Sequence, residues 1–507
     1  MRTRLTALDY VKLAPALLRK VLRLLPFVFL IWGVLGFLTL RAIRTKGDAS
    51  SLLLFPDSSG VLGTFSTTGS IDTTNPFFQS LGTNGRSCAT CHDMGNAWSF
   101  SASSAQERFA ASKGTDPLFR SVDGSNCPNS PGVNNSPPAQ SAYSLLLTKG
   151  LIHISLPVPA NAQFSVKVVS DPYGCALTTD ATGVQFLSMY RRPLPSTNLG
   201  FLSAVMSDGR ESVRPLNNSS TFQQNLNFDL AHQALDATLG HAQASNAPSA
   251  NELQQIVAFE LATFTAQQSD NSAGVLEAQG ASGGASYLSA VPYYPGINDS
   301  LGGNPTGAAF NPNAFTLFSV WQHLTSSNPF TLARESIARG EAIFDSAPLT
   351  IQNVKGLNDA LGLATITGTC TTCHDTPSVG DHSLPVPLDI GISDVPANSR
   401  DPLAFALAQL NDPEVPVYAF RCSTSRGAAS NVTIQTTDPG RAMISGLCSD
   451  IGKVKGPILR GLAARAPYFH DGAADSLEQV VSFYNERFQA GFTAKEMADL
   501  VNFLKSL

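Results

Sequence analysis

The feature that most constrains this chain is a short cysteine pattern that occurs twice. Cys-x-x-Cys-His is formed by Cys88, Cys91 and His92 and again by Cys370, Cys373 and His374. The chain has 8 cysteines and 8 histidines among 507 residues. Chance would place such patterns in a chain of this composition on the order of 0.002 times. The repeated pattern therefore indicates a specific chemistry.

That chemistry is covalent attachment of c-type haem. Two thiols three positions apart on one turn can each add to a vinyl group on the same porphyrin edge. The adjacent histidine then presents a ring nitrogen to the iron. The sequence predicts two covalent haems c, held through four cysteines and ligated by His92 and His374.

Two other readings of the cysteine pairs are a zinc ribbon and a thioredoxin-type redox pair. A zinc ribbon brings together pairs that are about 15–20 residues apart, whereas 278 residues separate Cys91 from Cys370. A thioredoxin pair does not need the histidine that follows each motif here. Haem attachment is the favoured interpretation.

Four cysteines remain outside the motifs, an even number that favours disulfides in an oxidising compartment. Their order along the chain favours Cys127 with Cys175 and Cys422 with Cys448. Free buried thiols are the alternative.

The N-terminus predicts export. Residues 24–40 are 17 consecutive uncharged residues, long enough to cross a bilayer, and six basic residues precede them. The prediction is a membrane anchor that tethers a periplasmic body to the inner membrane. A cleaved signal peptide is the alternative, because small residues follow at 47–50.

Composition predicts folded domains and excludes a nucleic-acid partner. The chain is 43% hydrophobic and 14% charged, with a net charge of −5. Helical periodicity at 332–344, at 476–484 with Asp475 as the N-cap, and at 493–504 predicts a mainly α fold. Residues 75–82, before the first motif, are a shorter version of the helix at 332–344. Thr493 and Glu496 form a capping-box pattern at the start of the last helix.

We therefore predict two cytochrome c-like haem domains with long loop inserts, preceded by one transmembrane helix. Residues 1–50 are the cytoplasmic N-terminus and anchor, 51–329 the first haem domain and 330–507 the second.

Further motifs accompany the cysteine pairs. They are Thr115-Asp116-Pro117-Leu118-Phe119-Arg120, Ser207-Asp208-Gly209-Arg210, Asp438-Pro439-Gly440-Arg441, Gly456-Pro457-Ile458-Leu459-Arg460 and Ala466-Pro467-Tyr468-Phe469-His470-Asp471-Gly472. With these motifs, most of 75–507 resembles the bacterial dihaem cytochrome c peroxidase family, which includes the methylamine-utilisation MauG type.

The resemblance implies reduction of hydrogen peroxide at the first haem, with electrons relayed by the second. His92 is then the proximal ligand of the peroxidatic haem and His374 that of the electron-transfer haem. Tyr484 stands where peroxidases proper have a methionine and the MauG type a tyrosine, as the second axial ligand. The electron donor is a small protein or a quinol-linked cytochrome, and the resemblance allows a calcium ion between the domains.

The sequence departs from the family at two functional positions. Gln233 matches the family's distal glutamine, but Gln243 stands ten residues later where the family has glutamate. An amide cannot carry a proton at neutral pH, so the predicted distal groups are Gln233 and His241. Ser207 replaces the tryptophan that helps charge pass between the haems.

These departures leave two alternative functions beside the peroxidase. One is a non-enzymatic dihaem electron carrier, in which His232 or His241 closes the first iron. The other is a MauG-like oxidase of a protein side chain, which Tyr484 favours.

Overall fold

Helices and strands both occur throughout the described chain. The computed structural model describes residues 51–396, 398–423 and 432–507, with 31% helix and 16% strand in several sheets. The prediction of a mainly α fold is therefore wrong. The inserts that we expected to be loops contain alternating runs rich in β-branched and aromatic residues, such as 164–170 and 185–191, and these runs form strands.

The described residues contain eleven α-helices and twelve strands. The α-helices are α1 Ala102–Ser112, α2 Ser144–Lys149, α3 Phe222–Gly240, α4 Ala250–Leu261, α5 Ala285–Leu288, α6 Pro329–Ser346, α7 Asn358–Leu361, α8 Pro402–Leu407, α9 Ala442–Ser445, α10 Leu477–Arg487 and α11 Ala494–Lys505. The strands are β1 Leu52–Pro56, β2 Gly60–Ser66, β3 Ile152–Pro157, β4 Phe164–Ser170, β5 Leu177–Thr179, β6 Gln185–Arg191, β7 Thr263–Asp270, β8 Gly274–Val275, β9 Leu349–Gln352, β10 Thr365–Gly368, β11 Val417–Cys422 and β12 Thr433–Thr436.

The strands form small antiparallel sheets. Their orders are β1-β2-β7-β8, β3-β6-β5, β12-β11-β4 and β10-β9. In the third sheet, β4 from the first predicted domain pairs with β11 from the second. Phe164 packs edge-on against Phe420, and both side chains are buried. This sheet therefore joins chain segments on the two sides of the predicted boundary, whose position at 329/330 stays a prediction.

The helices α6, α10 and α11 pack around one apolar core near the second motif. Phe344 from α6 and Phe503 from α11 meet there with Phe315. The predicted capping box at the start of α11 is confirmed, since Thr493 accepts from the backbone N–H of Glu496 and the carboxylate of Glu496 accepts in return.

Two helix predictions differ from the structure in detail, at the start of α10 and before the first motif. The N-cap of α10 is Ser476, which accepts from the backbone of Gln479, and not Asp475. Part of the region before the first motif forms only a short 3-10 turn, Pro76–Phe78. The predicted membrane span, 24–40, lies outside the described residues, and within the described ranges no helix has the length and apolar character to cross a membrane.

Both predicted disulfides are formed. Cys127 pairs with Cys175 and Cys422 with Cys448, with Cα–Cα separations of 6.2 and 6.0 Å. The four motif cysteines carry free thiols. The eight cysteines thus divide into two disulfide pairs and two motif pairs, as the sequence predicts.

Candidate active site at the first cysteine motif

The two motifs adopt the same local structure. Each forms a 3-10 turn, Cys88–Thr90 in the first and Cys370–Thr372 in the second. In the first, the backbone N–H of Ser87 donates to Thr90 Oγ1 at 3.0 Å. The N–H of Thr369 donates to the matching threonine of the second motif at 2.9 Å. A threonine three positions on thus closes each turn and holds the two cysteines of a pair on one side of it.

The two histidines are held in the form that ligates a metal. His92 Nδ1 donates to the carbonyl of Trp98 at 3.0 Å, and His374 Nδ1 donates to the carbonyl of Gly380 at 2.5 Å. A carbonyl can only accept, so the proton is on Nδ1 and the lone pair on Nε2. Burial lowers the pKa of both rings and keeps them neutral. A carbonyl partner on the opposite ring nitrogen is the usual support of a histidine that binds a metal.

The thiols do not have the character of a redox or zinc pair. Burial raises the pKa of Cys88 to about 12 and that of Cys91 to about 11. It raises the pKa of Cys370 and Cys373 to about 12. Reactive dithiols and thiolate metal ligands have lowered pKa values. In the part of the chain that the structure describes, the two clusters of metal-ligand type contain none of these cysteines.

A cavity of about 1200 Å³, including its open mouth, lies beside the first motif. Cys88, Cys91 and His92 line it together with Gln233 and His241. The structure therefore brings both predicted distal residues to the first motif. Gln233 lies within α3, and His241 is the first residue after that helix.

His241 is held by a buried carboxylate. Its Nδ1 donates to Asp123, which also accepts from the guanidinium of Arg86. Burial by itself would raise the pKa of Asp123, but His241 and Arg86 outweigh it and lower the pKa. The Asp123 carboxylate fixes the proton on Nδ1 and leaves Nε2 as the nitrogen free to exchange protons.

His232, the other candidate to close the first iron, lies elsewhere. Its ring donates from Nδ1 to Glu211 at 2.8 Å, and it is not among the residues that line the cavity. Of the two histidines, His241 is the one placed at the motif.

Sequence analysis missed Glu260, which also lines this cavity. Glu260 is the residue before the last of α4 and is 5% exposed. Its Oε2 has no hydrogen-bond partner within the described ranges, and burial raises its pKa to about 8. The sequence signal is an acid in an otherwise apolar stretch of a helix, but only the packing of α4 against α3 shows where it points.

Buried, positively charged side chains lie beside the cavity, and their charge suits the carboxylates of a porphyrin. A neighbouring cavity of about 430 Å³ shares Lys455 with the first and is also lined by Arg460 and Arg465. Of the described atoms, none pairs with the three guanidinium nitrogens of Arg460, although the residue is only 2% exposed. Burial lowers the pKa of both arginines to about 10 and that of Lys455 to about 8. Buried cations of this kind need anions, and a haem has two carboxylate side chains. With the free thiols and neutral His92, the residues present fit the group.

Tyr484 is close to the second motif. It lies in α10 within an apolar cluster that includes Cys370, Cys373 and Phe488. Burial raises its pKa, and the two nearby thiols raise it further. A buried phenol with this pKa ionises only where a cation stabilises the phenolate. Its role as a ligand stays a prediction.

Part of the chain is similar in sequence to named enzymes. No protein-family model matches the sequence. The cytochrome-c peroxidase IdrP2 of Denitromonas iodatirespirans is 30% identical over 170 residues, and IdrP1 of Pseudomonas sp. strain SCT is 27% identical over 169 residues. The two matches cover 32% and 31% of this chain and 41% of each relative. The match thus spans about two fifths of the length of these relatives.

Solved structures of low similarity include a MauG-like protein associated with microbial copper homeostasis, with a TM-score of 0.30 and 15% identity over 66% of this chain and 77% of that one. A variant of the diheme peroxidase BthA from Burkholderia thailandensis has a TM-score of 0.29 and 15% identity, and the match covers 90% of this chain and 95% of that one. Scores this low carry no argument about this chain. The sequence matches, in contrast, agree with the family that the motifs resemble: over about a third of its length, the chain is similar to cytochrome-c peroxidases.

Proposed function

We propose that this protein is an exported dihaem c-type cytochrome that reduces hydrogen peroxide at its first motif, with electrons supplied through the second. One observation carries the proposal. A single cavity brings His92 and its cysteines together with the imidazole of His241, the carboxyl of Glu260 and the amide of Gln233. The relationship to cytochrome-c peroxidases supports the same activity.

The reaction consumes two electrons and two protons for each peroxide and yields two waters. The haem, when attached, supplies the redox chemistry of O–O cleavage. The protein must move protons between the two oxygens and add the protons that turn them into water. His241 is suited to take a proton, because Asp123 holds its Nδ1–H and leaves Nε2 free. Glu260, with a pKa of about 8, is suited to hold a proton at neutral pH and release it.

The remaining groups orient the bound peroxide and the histidine ligand. Gln233 offers a donor and an acceptor to a bound peroxide but cannot change its charge. On the other side of the motif, the carbonyl of Trp98 holds His92 Nδ1 and so makes the ligand more electron-rich. The second motif has the same arrangement in His374 and Gly380, which supports a second haem as electron relay.

Export to the periplasm is part of the proposal. Two disulfides, Cys127–Cys175 and Cys422–Cys448, are typical of an oxidising compartment. The electron donor would be a small redox protein that meets the folded body there.

The test is peroxide consumption by holoprotein that carries both haems, with a reduced cytochrome as donor. We expect turnover by the wild type and a loss of about 100-fold in kcat for His241→Gln, since general acid–base groups contribute at least that much. His232→Gln is the matched control, because His232 faces Glu211 outside the cavity, and we expect its kcat to stay within about twofold of wild type.

Two results would contradict the proposal. One is a fully loaded wild type that consumes no peroxide and whose resting paramagnetic resonance spectrum shows two low-spin, six-coordinate irons in every redox state. Such a protein would be an electron carrier. The other is a His241→Gln variant as active as its control, which would remove His241 from the reaction.

A second candidate function rests on Tyr484. Its position beside Cys370 and Cys373 fits a tyrosinate ligand, which stabilises iron in its higher oxidation states. That property favours a MauG-like oxidase of a protein side chain. Turnover of peroxide without any added protein substrate favours the peroxidase.

A further inference from the structure

A second group of chemically active side chains lies beyond the first cavity, next to the second motif. It consists of Asp299, Asp375, Asp381 and His382, each exposed by 2% or less. Asp375 directly follows the predicted ligand His374. Ligand-type atoms of Asp299, Asp375 and His382 all lie within 4.8 Å of one another. The proposed function does not use this group.

Several polar atoms in this group lack partners. Asp375 is satisfied, since its carboxylate accepts from the backbone of Ser383 at 2.7 Å and lies 2.8 Å from His382 Nδ1. In contrast, one oxygen of Asp299, both oxygens of Asp381 and Nε2 of His382 find no hydrogen-bond partner in the described segments. Buried polar atoms are nearly always paired, so a cluster of unpaired ones calls for a missing partner.

Charge points to the nature of that partner. Asp299 and Asp375 place two carboxyl groups together in the interior, and buried charges are stable only when opposite charge lies close by. The cation that acts on this group from a neighbouring segment is Lys455, which affects Asp381 and already donates to the carbonyl of Ala204 at 2.9 Å. A divalent cation bound between Asp299 and Asp375 would supply positive charge directly to these two carboxyl groups.

We propose that Asp299, Asp375 and His382 bind a divalent first-row transition cation, with Zn²⁺ or Mn²⁺ as the fitting ions. The site would use one oxygen from each aspartate and one ring nitrogen. Bonds of about 2.0–2.2 Å to a tetrahedral cation place its ligand atoms about 3.4 Å apart. The ligand-type atoms of the three residues lie within 4.8 Å of one another, so small side-chain shifts would bring them to this spacing.

The histidine decides the class of cation. Calcium and magnesium prefer oxygen ligands throughout, whereas imidazole together with carboxylates suits zinc and manganese. The site would tie the loop at Asp299 to the loop that follows the second motif, and it is therefore structural.

The test begins with metal analysis of wild-type holoprotein purified without chelator. We expect one equivalent of zinc or manganese per chain in addition to the two haem irons. Dialysis against a chelator removes this metal but leaves the covalent haems, which are counted by their absorbance. Titration with ZnCl₂ or MnCl₂, followed by calorimetry, should then refill one site, and CaCl₂ should not.

Variants locate the site. Asp299→Asn and His382→Gln should each weaken the refilling by at least tenfold while both haems remain attached. His323→Gln, an exposed histidine remote in sequence from the cluster, is the matched control and should bind like wild type.

Three outcomes would overturn the proposed cation site. A wild type that holds no metal beyond haem iron and refills with neither ion overturns the proposal, and so does uptake of calcium alone. Full binding by both variants also overturns it. If a variant fails to mature, the wild-type titration gives the answer by itself.

Discussion

Glu260 shows how a single residue can change the chemistry expected of a cavity. The family's glutamate position holds Gln243, so the sequence leaves the first site without an acid. Packing of α4 brings the carboxyl of Glu260 to the same cavity, where it is buried without a partner. Since desolvation disfavours the charged carboxylate, this acid stays protonated at a pH at which ordinary glutamates are ionised.

Replacement of Glu260 by glutamine should change the pH profile of peroxide reduction. The pKa of Glu260 is raised from its ordinary 4.5 to about 8, so the group holds its proton below pH 8 and loses it above. We expect the wild-type kcat/KM to fall as pH rises through about 8. Glu260→Gln should be slower by about 10- to 100-fold at pH 7 and should lack that inflection.

The control for this variant is Glu277→Gln, which removes an exposed carboxyl outside the cavity. It should keep the wild-type profile. If the inflection near pH 8 persists in Glu260→Gln, the group that titrates is another residue.

Tyr484 provides a second test at the residue scale, on the predicted ligand of the second iron. In Tyr484→Phe the second haem should lose its tyrosinate ligand, and its midpoint potential should rise because tyrosinate stabilises ferric iron. Redox titration and paramagnetic resonance of the oxidised holoprotein would measure both changes. Phe488→Leu, a change in the same apolar cluster without a phenol, is the control. Unchanged spectra in Tyr484→Phe would make Tyr484 a core aromatic.

At the scale of elements, Arg191 at the end of β6 joins two motifs that are far apart in sequence. Its guanidinium donates to Asp438 at 2.6 and 2.8 Å and also to Asp208. Asp208 belongs to the Ser207–Arg210 motif and Asp438 to the Asp438–Arg441 motif. All three side chains are buried. The two motifs therefore have a structural role, because Arg191 fixes the loops that contain them to each other.

Removing one charge from this cluster should be costly. In Asp438→Asn, Arg191 keeps only Asp208 as a full counter-charge in a buried site, and we expect a loss of about 3 kcal/mol in the free energy of unfolding. Glu478→Gln is the matched control, because Glu478 pairs with Lys505 at the surface and its loss should cost less than about 1 kcal/mol. Denaturant unfolding of the holoproteins compares them. Equal losses in the free energy of unfolding would mean that burial does not strengthen these ion pairs.

The same carboxyl predicts a response to acid. Burial would raise the pKa of Asp438, but Arg191 outweighs it and lowers the pKa from 3.8 to about 2. The stabilisation is therefore fully present above pH 3.8 and is lost as the pH falls toward 2. Between pH 4 and 2, wild type should lose about 2 kcal/mol more than Asp438→Asn.

At the scale of the whole molecule, the chain on the two sides of residue 329 shares a core. Strands β4 and β11 pair in one sheet, and Tyr418 and Phe420 of β11 are fully buried. The cluster around them also includes Leu187 and Met189 of β6. This cluster buries side chains from both predicted domains.

A fragment of residues 330–507 tests how far the second half depends on the first. Without β4 and β6, Tyr418 and Phe420 lose the apolar surface that covers them. We expect a haem-loaded fragment to unfold at a lower denaturant concentration than the full protein and to bind a hydrophobic dye. A fragment as stable as the full chain would support two independent domains.

The cysteine motifs and the capping box of α11 could be predicted from sequence because each depends on residues within one turn. The disulfide pairs span 48 and 26 residues, and the order of the remaining cysteines favoured them without deciding them. A histidine after a cysteine pair, or a threonine three residues before a glutamate, acts within one turn. The family resemblance follows from the same short motifs. The mainly α prediction failed because helical periodicity was visible near the C-terminus, whereas the short strands of the inserts depend on partners far away in sequence.

Only the tertiary structure decided which groups share a cavity. His241 and Gln233 are near each other in sequence, but Asp123, Glu260 and Lys455 reach the cavity from separate segments. The placement of a buried acid or cation depends on packing over long distances, and no local pattern encodes it. The same physical reason explains why the cluster of Asp299, Asp375 and His382 emerges from the fold, although each of its residues is unremarkable along the chain.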